Sequence, residues 1–288
     1  MPPPRAAWGR MGATSFATCS TYDRAAASVF PAAAAPDSSV RWVERARVCG
    51  RAPNVLLMAA RELAVARVGV ELTKMPPPAR EAHAAARAKD LAQARRLVET
   101  ARVEARRLGA MLPPGATYLR AYLALAAGDV PRAARLGAQA LRRGDVPAYR
   151  ALRMLAAVAL LQENLERAVV LCEAAIEAGE VDAGATRGIT QALAAWIYDR
   201  AGDGAAAARA FSAAGVGSNP STILSAAAML PFHERLFLLG LYQAHVGNRA
   251  LARKLFEAYL ARPDPGPPER AHARRHLAAL EAARRPAP

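Results

Sequence analysis

The chain has 288 residues, length for one large domain or two small ones, and carries 39 Lys and Arg against 24 Asp and Glu, a formal charge of +15. About a quarter of it is alanine and only 6% is aromatic, which excludes collagen, a disulfide-dense miniprotein and a thick aromatic core, and favours closely approaching helices. Only Lys74, Lys89 and Lys254 are lysines, so the basic charge is almost all arginine, as a solvated helical surface or a nucleic-acid-binding face would carry it.

Residues 1–39 are rich in Pro, Ala and Ser and read as a flexible segment, with one short helix over 20–29. The first twenty residues hold arginines but no apolar leader, so a cytoplasmic protein is the default expectation. Phe16-Ala17-Thr18-Cys19 is faintly similar to a lipoprotein cleavage box, and a Cys19–Cys49 disulfide would accompany export. Cys172 falls in a helical pattern and reads as a small buried hydrophobe. No apolar run is long enough to cross a membrane as a helix.

From Val40 the pattern is helical and predicts an all-α domain over 40–285. Short helices are expected at 40–48 and 54–73, before Pro76-Pro77-Pro78 breaks the chain. A long helix follows at 79–109, with eight basic and four acidic side chains. Its pairs Arg87/Asp90, Glu99/Arg102 and Glu104/Arg107 are spaced to meet on one face. Arg95, Arg96, Arg102, Arg106 and Arg107 are the candidate phosphate contacts of this helix, although alternating acids and a lack of aromatics favour an ordinary exposed face.

Four similar units then follow one another, at 116–145, 148–179, 186–215 and 233–264. Each reads as helix, bend, helix, and the bends are Gly128-Asp129, Glu163-Asn164, Gly202-Asp203 and Gly247-Asn248. Glycine ends a helix in the left-handed region, and Asp or Asn caps the next. Seven residues before the bends stand Ala121, Ala156, Ala195 and Gly240, and five after them stand Ala133, Ala168, Ala207 and Ala252. Nine after come Gly137, Cys172, Phe211 and Phe256; twelve after come Ala140, Ala175, Ala214 and Tyr259. An extra helix is expected at 220–229 and a polar capping helix at 268–284.

This pattern resembles the tetratricopeptide repeat (TPR) family. The fourth unit matches best, with Leu239-Gly240, Gly247, Ala252, Phe256 and Pro263, and the third follows with Tyr198, Gly202, Ala207, Phe211 and Ala214. The first has Gly137 where the family has an aromatic, and the second has Glu163 where it has glycine. The resemblance implies a right-handed solenoid of antiparallel helix pairs with a concave groove. Carried over residue by residue, that groove is lined by Tyr118, Tyr122, Arg153, Leu160, Trp196, Arg200, Phe237, Leu241 and His245. Two readings of Tyr122, Trp196 and Phe237 stand at this point, groove contact and packing between repeats.

Candidate chemistry is sparse. His272 and His276 share a helix face at metal-ligand spacing, but no carboxylate or cysteine completes the set in the sequence, and Arg274 and Arg275 between them would repel a cation. There is no phosphate-binding loop and no nucleophile elbow. The expected function is a non-catalytic scaffold or adaptor that binds a protein or peptide, with Arg153 and Arg200 suited to an acidic one and no cofactor. The alternatives are a regulatory or sensor domain of a signalling or transcription protein, and a basic surface that binds nucleic acid.

Overall fold

Tight two-residue bends organise the fold. The computed structural model describes residues 53–65, 77–112, 114–179, 185–215, 220–261 and 267–282. Among these there are twelve helices and no strand. They are α1 (Pro53–Val65), α2 (Pro77–Arg107), α3 (Ala116–Ala126), α4 (Val130–Arg143), α5 (Ala148–Leu161) and α6 (Leu165–Ala178), then α7 (Ala185–Arg200), α8 (Gly204–Ala213), α9 (Pro220–Ala228), α10 (Phe232–His245), α11 (Arg249–Leu260) and α12 (Pro267–Ala282). The expected helices at 79–109, 220–229 and 268–284 are present within two residues at each end. The helix expected at 54–73 is described as far as Val65. The segment 1–39, the helices at 20–29 and 40–48, and Cys19 and Cys49 lie outside the described residues.

The four bends share one geometry. Gly128, Gly202 and Gly247 have φ of 80°, 89° and 81°, and Glu163 takes the same left-handed conformation at 60°. The following amide reaches back to the last turn each time, Asp129 to Ala124, Asn164 to Ala159, Asp203 to Tyr198 and Asn248 to Gln243. That bond terminates the first helix. The same Asp or Asn then starts the second: its side chain accepts from the amide of Arg132, Arg167, Ala206 or Leu251 at 2.8–3.3 Å. Each such cap contributes about 1 kcal/mol.

Small residues set how closely the paired helices pack. Ala133, Ala168 and Ala252 have no exposed surface and Ala207 is buried. A methyl group at Gly240 would stand 2.8 Å from Cε1 of Phe256, so α10 and α11 meet at this glycine. The helices pack largely in chain order, from α3 on α4 to α7 on α8 and from α9 on α10 to α11 on α12, with α9 packed on α7, and first helices of neighbouring pairs, α3 with α5 and α5 with α7, also touch. One continuous apolar core runs from Leu56 to Ala273. Trp196, Phe237, Phe256 and Tyr259 are its largest wholly buried side chains, each stabilising the fold by about 2–3 kcal/mol.

Helix α1 packs on α2 but also touches α3 and α9. The carbonyls of Leu63 and Ala64 accept from the guanidinium of Arg87, which turns inward from α2 and is buried. Arg235 does the same for α9, donating to the carbonyls of Leu230 at 2.8 Å and Ala228 at 3.3 Å. Arg235 thereby satisfies carbonyls that the end of α9 leaves without an internal partner. Burial, with Arg87 nearby, pushes the Arg235 guanidinium down to about 9.

Candidate functional site

Three side chains from two helices meet near the C-terminal end of the described fold. Helix α7 ends in Asp199-Arg200, and one face of α12 carries His272 and His276. Nε2 of His272 lies 2.8 Å and Nε2 of His276 3.0 Å from the same oxygen, Oδ2 of Asp199. All three candidate ligand atoms fall within 4.8 Å of one another, and Asp199 and His272 are buried. Packed rings hold the imidazoles in place. Phe256 stacks on His276 with centroids 5.1 Å apart, and Phe237 lies 5.7 Å from His272 and 5.8 Å from His276.

Proton positions follow from the neighbours. Arg275 is hydrogen bonded to Nδ1 of His272. A guanidinium only donates, so Nδ1 accepts and Nε2 carries the proton that goes to Asp199. Burial alone would raise the Asp199 carboxyl. The hydrogen bonds from His272 and His276 outweigh it and hold the group below its ordinary value. Beside it, Arg200 reaches the Tyr259 hydroxyl at 3.3 Å and Glu269 at 3.4 Å, and the Tyr259 hydroxyl donates to Glu234 at 3.3 Å. The sequence shows the two histidines but no third ligand. The fold supplies one from 73 residues upstream, a separation that carries no sequence signal.

The nine residues expected to line a concave groove are mostly covered. Tyr118, Tyr122, Arg153, Leu160, Trp196, Phe237 and Leu241 are all buried, Trp196 and Phe237 completely. The Arg200 side chain is 9% exposed, with its guanidinium 5.3 Å from the Phe237 ring. His245 alone among the nine is exposed, its ring 5.2 Å from that of Phe211. Tyr122, Trp196 and Phe237 all pack in the buried core between helices. A signal for this was available: α5 and α7 are apolar around most of their circumference (MLAAVALL, ITQALAAWI), the mark of a helix buried on all sides. Helix α2 adds to the covering by bringing Arg87 close to Tyr122 and Arg235.

An open cleft of about 590 Å³ lies elsewhere, between α2 and the α3–α4 pair. Its floor is Val98, Leu123 and Ala124, and Arg95, Arg96, Arg120 and Arg132 stand around it. The acids on its wall already have partners. Glu99 pairs with Arg102 at 2.8 Å and Arg120 at 3.5 Å, and Glu104 with Arg107 at 2.7 Å, so the cleft is net basic. Arg95 donates to the Leu123 carbonyl at 3.3 Å and so ties α2 to α3. An exposed apolar strip, Val103, Leu108 and Met111, continues from this end of α2. Two arginines of α2 singled out in the sequence, Arg95 and Arg96, line the cleft, while Arg102 and Arg107 are occupied by glutamates.

The Cys172 thiol is buried, and burial together with Glu173 pushes it up to about 12, so it is not poised as a nucleophile. No helix among the described residues is long and apolar enough to cross a membrane. Comparison with family models, curated proteins and solved structures found no match to this chain.

Proposed function

We propose that this chain is a tetratricopeptide-like helical solenoid that binds an acidic, partly apolar peptide segment without catalysis, and that it does so in the cleft between α2 and the α3–α4 pair. The solenoid reading is supported by four like-built bends and small residues at the helix crossings. The observation that carries the binding reading is the cleft itself, an apolar floor ringed by four arginines whose neighbouring glutamates are already paired. A partner carrying carboxylates beside leucine-like side chains would bury the floor and meet Arg96 and Arg132 at the rim. Apolar contact would supply affinity, while the rim charges would steer approach and set the preference for acids.

Fluorescence anisotropy tests this with a labelled peptide of alternating Glu and Leu, its Lys/Leu counterpart and a single-stranded DNA oligomer. Tight, salt-sensitive binding of the acidic peptide is expected, weakened about tenfold or more by Arg96→Glu/Arg132→Glu. Equal binding of the acidic and basic peptides, or an unaffected double variant, overturns the reading. Preferential binding of the oligomer with a steep salt dependence replaces it with a nucleic-acid-binding surface.

A further inference from the structure

The geometry points to a binding site for a first-row divalent transition-metal cation, of the Zn²⁺ class, formed by Asp199, His272 and His276 and clasping α12 onto α7. The site is separate from the cleft and does not depend on it. Two imidazole nitrogens and one carboxylate oxygen, already within 4.8 Å of one another, are a donor set suited to zinc, cobalt or nickel, whereas magnesium and calcium prefer oxygen-only sets. The two Nε2 atoms stand 2.8 and 3.0 Å from Asp199 Oδ2 and would move apart by only a few tenths of an ångström to reach the spacing of about 3.3 Å that neighbouring ligands take on one tetrahedral ion. Phe237 and Phe256 fix the ring planes, so little side-chain freedom is lost on binding.

The proton and charge requirements are met locally. When Nε2 of neutral His272 takes the metal, its proton moves to Nδ1, and the exposed Arg275 swings into solvent because it has lost its acceptor. No net proton is released at that ring. Arg200, next to Asp199 in the chain, is engaged by Glu269 and by the Tyr259 hydroxyl, which itself contacts Glu234. Its positive charge is therefore already matched where the ion would enter. Three protein ligands leave a coordination position for water on the side where His276 is only half-buried.

The test uses the full chain stripped of metal by chelation. Zn²⁺ is titrated by calorimetry, Co²⁺ is followed by visible absorption, and melting is followed by circular dichroism. One Zn²⁺ per chain, the intense visible bands of four-coordinate cobalt, and a rise in Tm of about 5 °C at a hundredfold excess over Kd are expected, with Mg²⁺ leaving Tm unmoved. His276→Gln, at a half-buried position, and the isosteric Asp199→Asn should each weaken Zn²⁺ binding at least tenfold, and His276→Gln keeps the test open if Asp199→Asn does not fold. The inference is overturned if Zn²⁺ binds wild type no better than His276→Gln, or if Mg²⁺ raises Tm as much as Zn²⁺.

Discussion

Glu163 occupies a backbone conformation that costs it energy, and replacing it by glycine should make the protein more stable. Its φ is 60°, and it is the single residue other than glycine with positive φ among the described residues. The other three bends have glycine at the same place. The hydrogen bonds match too: the Glu163 amide reaches the Leu160 carbonyl at 2.9 Å as the Gly128 amide reaches Leu125 at 2.9 Å. The Glu163 side chain is exposed, so no burial offsets the strain. An L-residue in the left-handed region costs about 1–2 kcal/mol. Glycine gives back about 0.4–1 kcal/mol through the greater freedom of its unfolded chain. The net gain from Glu163→Gly is therefore about 0.5–1 kcal/mol, or about 2 °C in Tm for a chain of this size. Urea unfolding followed by circular dichroism should show a higher midpoint with an unchanged slope. Glu163→Ala removes the charge but keeps the strain, so it should not gain, and Gly202→Ala should lose about 1 kcal/mol by entering the strain that Glu163 leaves. If Glu163→Gly is no more stable than wild type, or if Glu163→Ala gains as much, the backbone argument is wrong.

Gly240→Ala tests the α10–α11 approach, where the new methyl would lie 2.8 Å from a Phe256 ring that is fully buried between Phe237 and His276. Overpacking costs about 1–3 kcal/mol and alanine's helix preference returns about 1, so a net loss of about 1 kcal/mol by urea unfolding is expected, and a gain would mean that the helices do not meet there. Cys172 makes the protein sensitive to alkali. Its thiol is raised from 9.0 to about 12 in the fold, so its contribution is complete below pH 9 and is lost as pH rises towards 12. Cys172→Ala should flatten the decline of stability over that interval, and wild type should resist iodoacetamide at pH 8 until it unfolds; rapid labelling of the folded protein would refute the burial.

The amino-acid sequence by itself determined the features that depend on neighbours a few residues apart. Gly or Glu followed by Asp or Asn specifies where each helix stops and the next is capped, because both bonds close within five residues. Pairs such as Glu99 with Arg102 were legible for the same reason, as was the shared helix face of His272 and His276. The expected groove was not settled this way. Whether Trp196 or Phe237 faces a ligand or a neighbouring helix depends on how alanine-lined helices close on one another and on what lies over them, and every partner in that decision is distant in the chain. Arg87 shows the point in one side chain. At helical spacing it belongs with Asp90 on an exposed face, yet it turns inward to the carbonyls of Leu63 and Ala64, more than twenty residues away. Asp199 meets two histidines on α12 across more than seventy residues of intervening helices. Local bonds form wherever the sequence places their two ends within a turn, whereas burial and long-range pairing exist only once the helices have packed. That is why the bends were decided by the sequence, and the closed interior and the histidine–aspartate cluster by the tertiary structure.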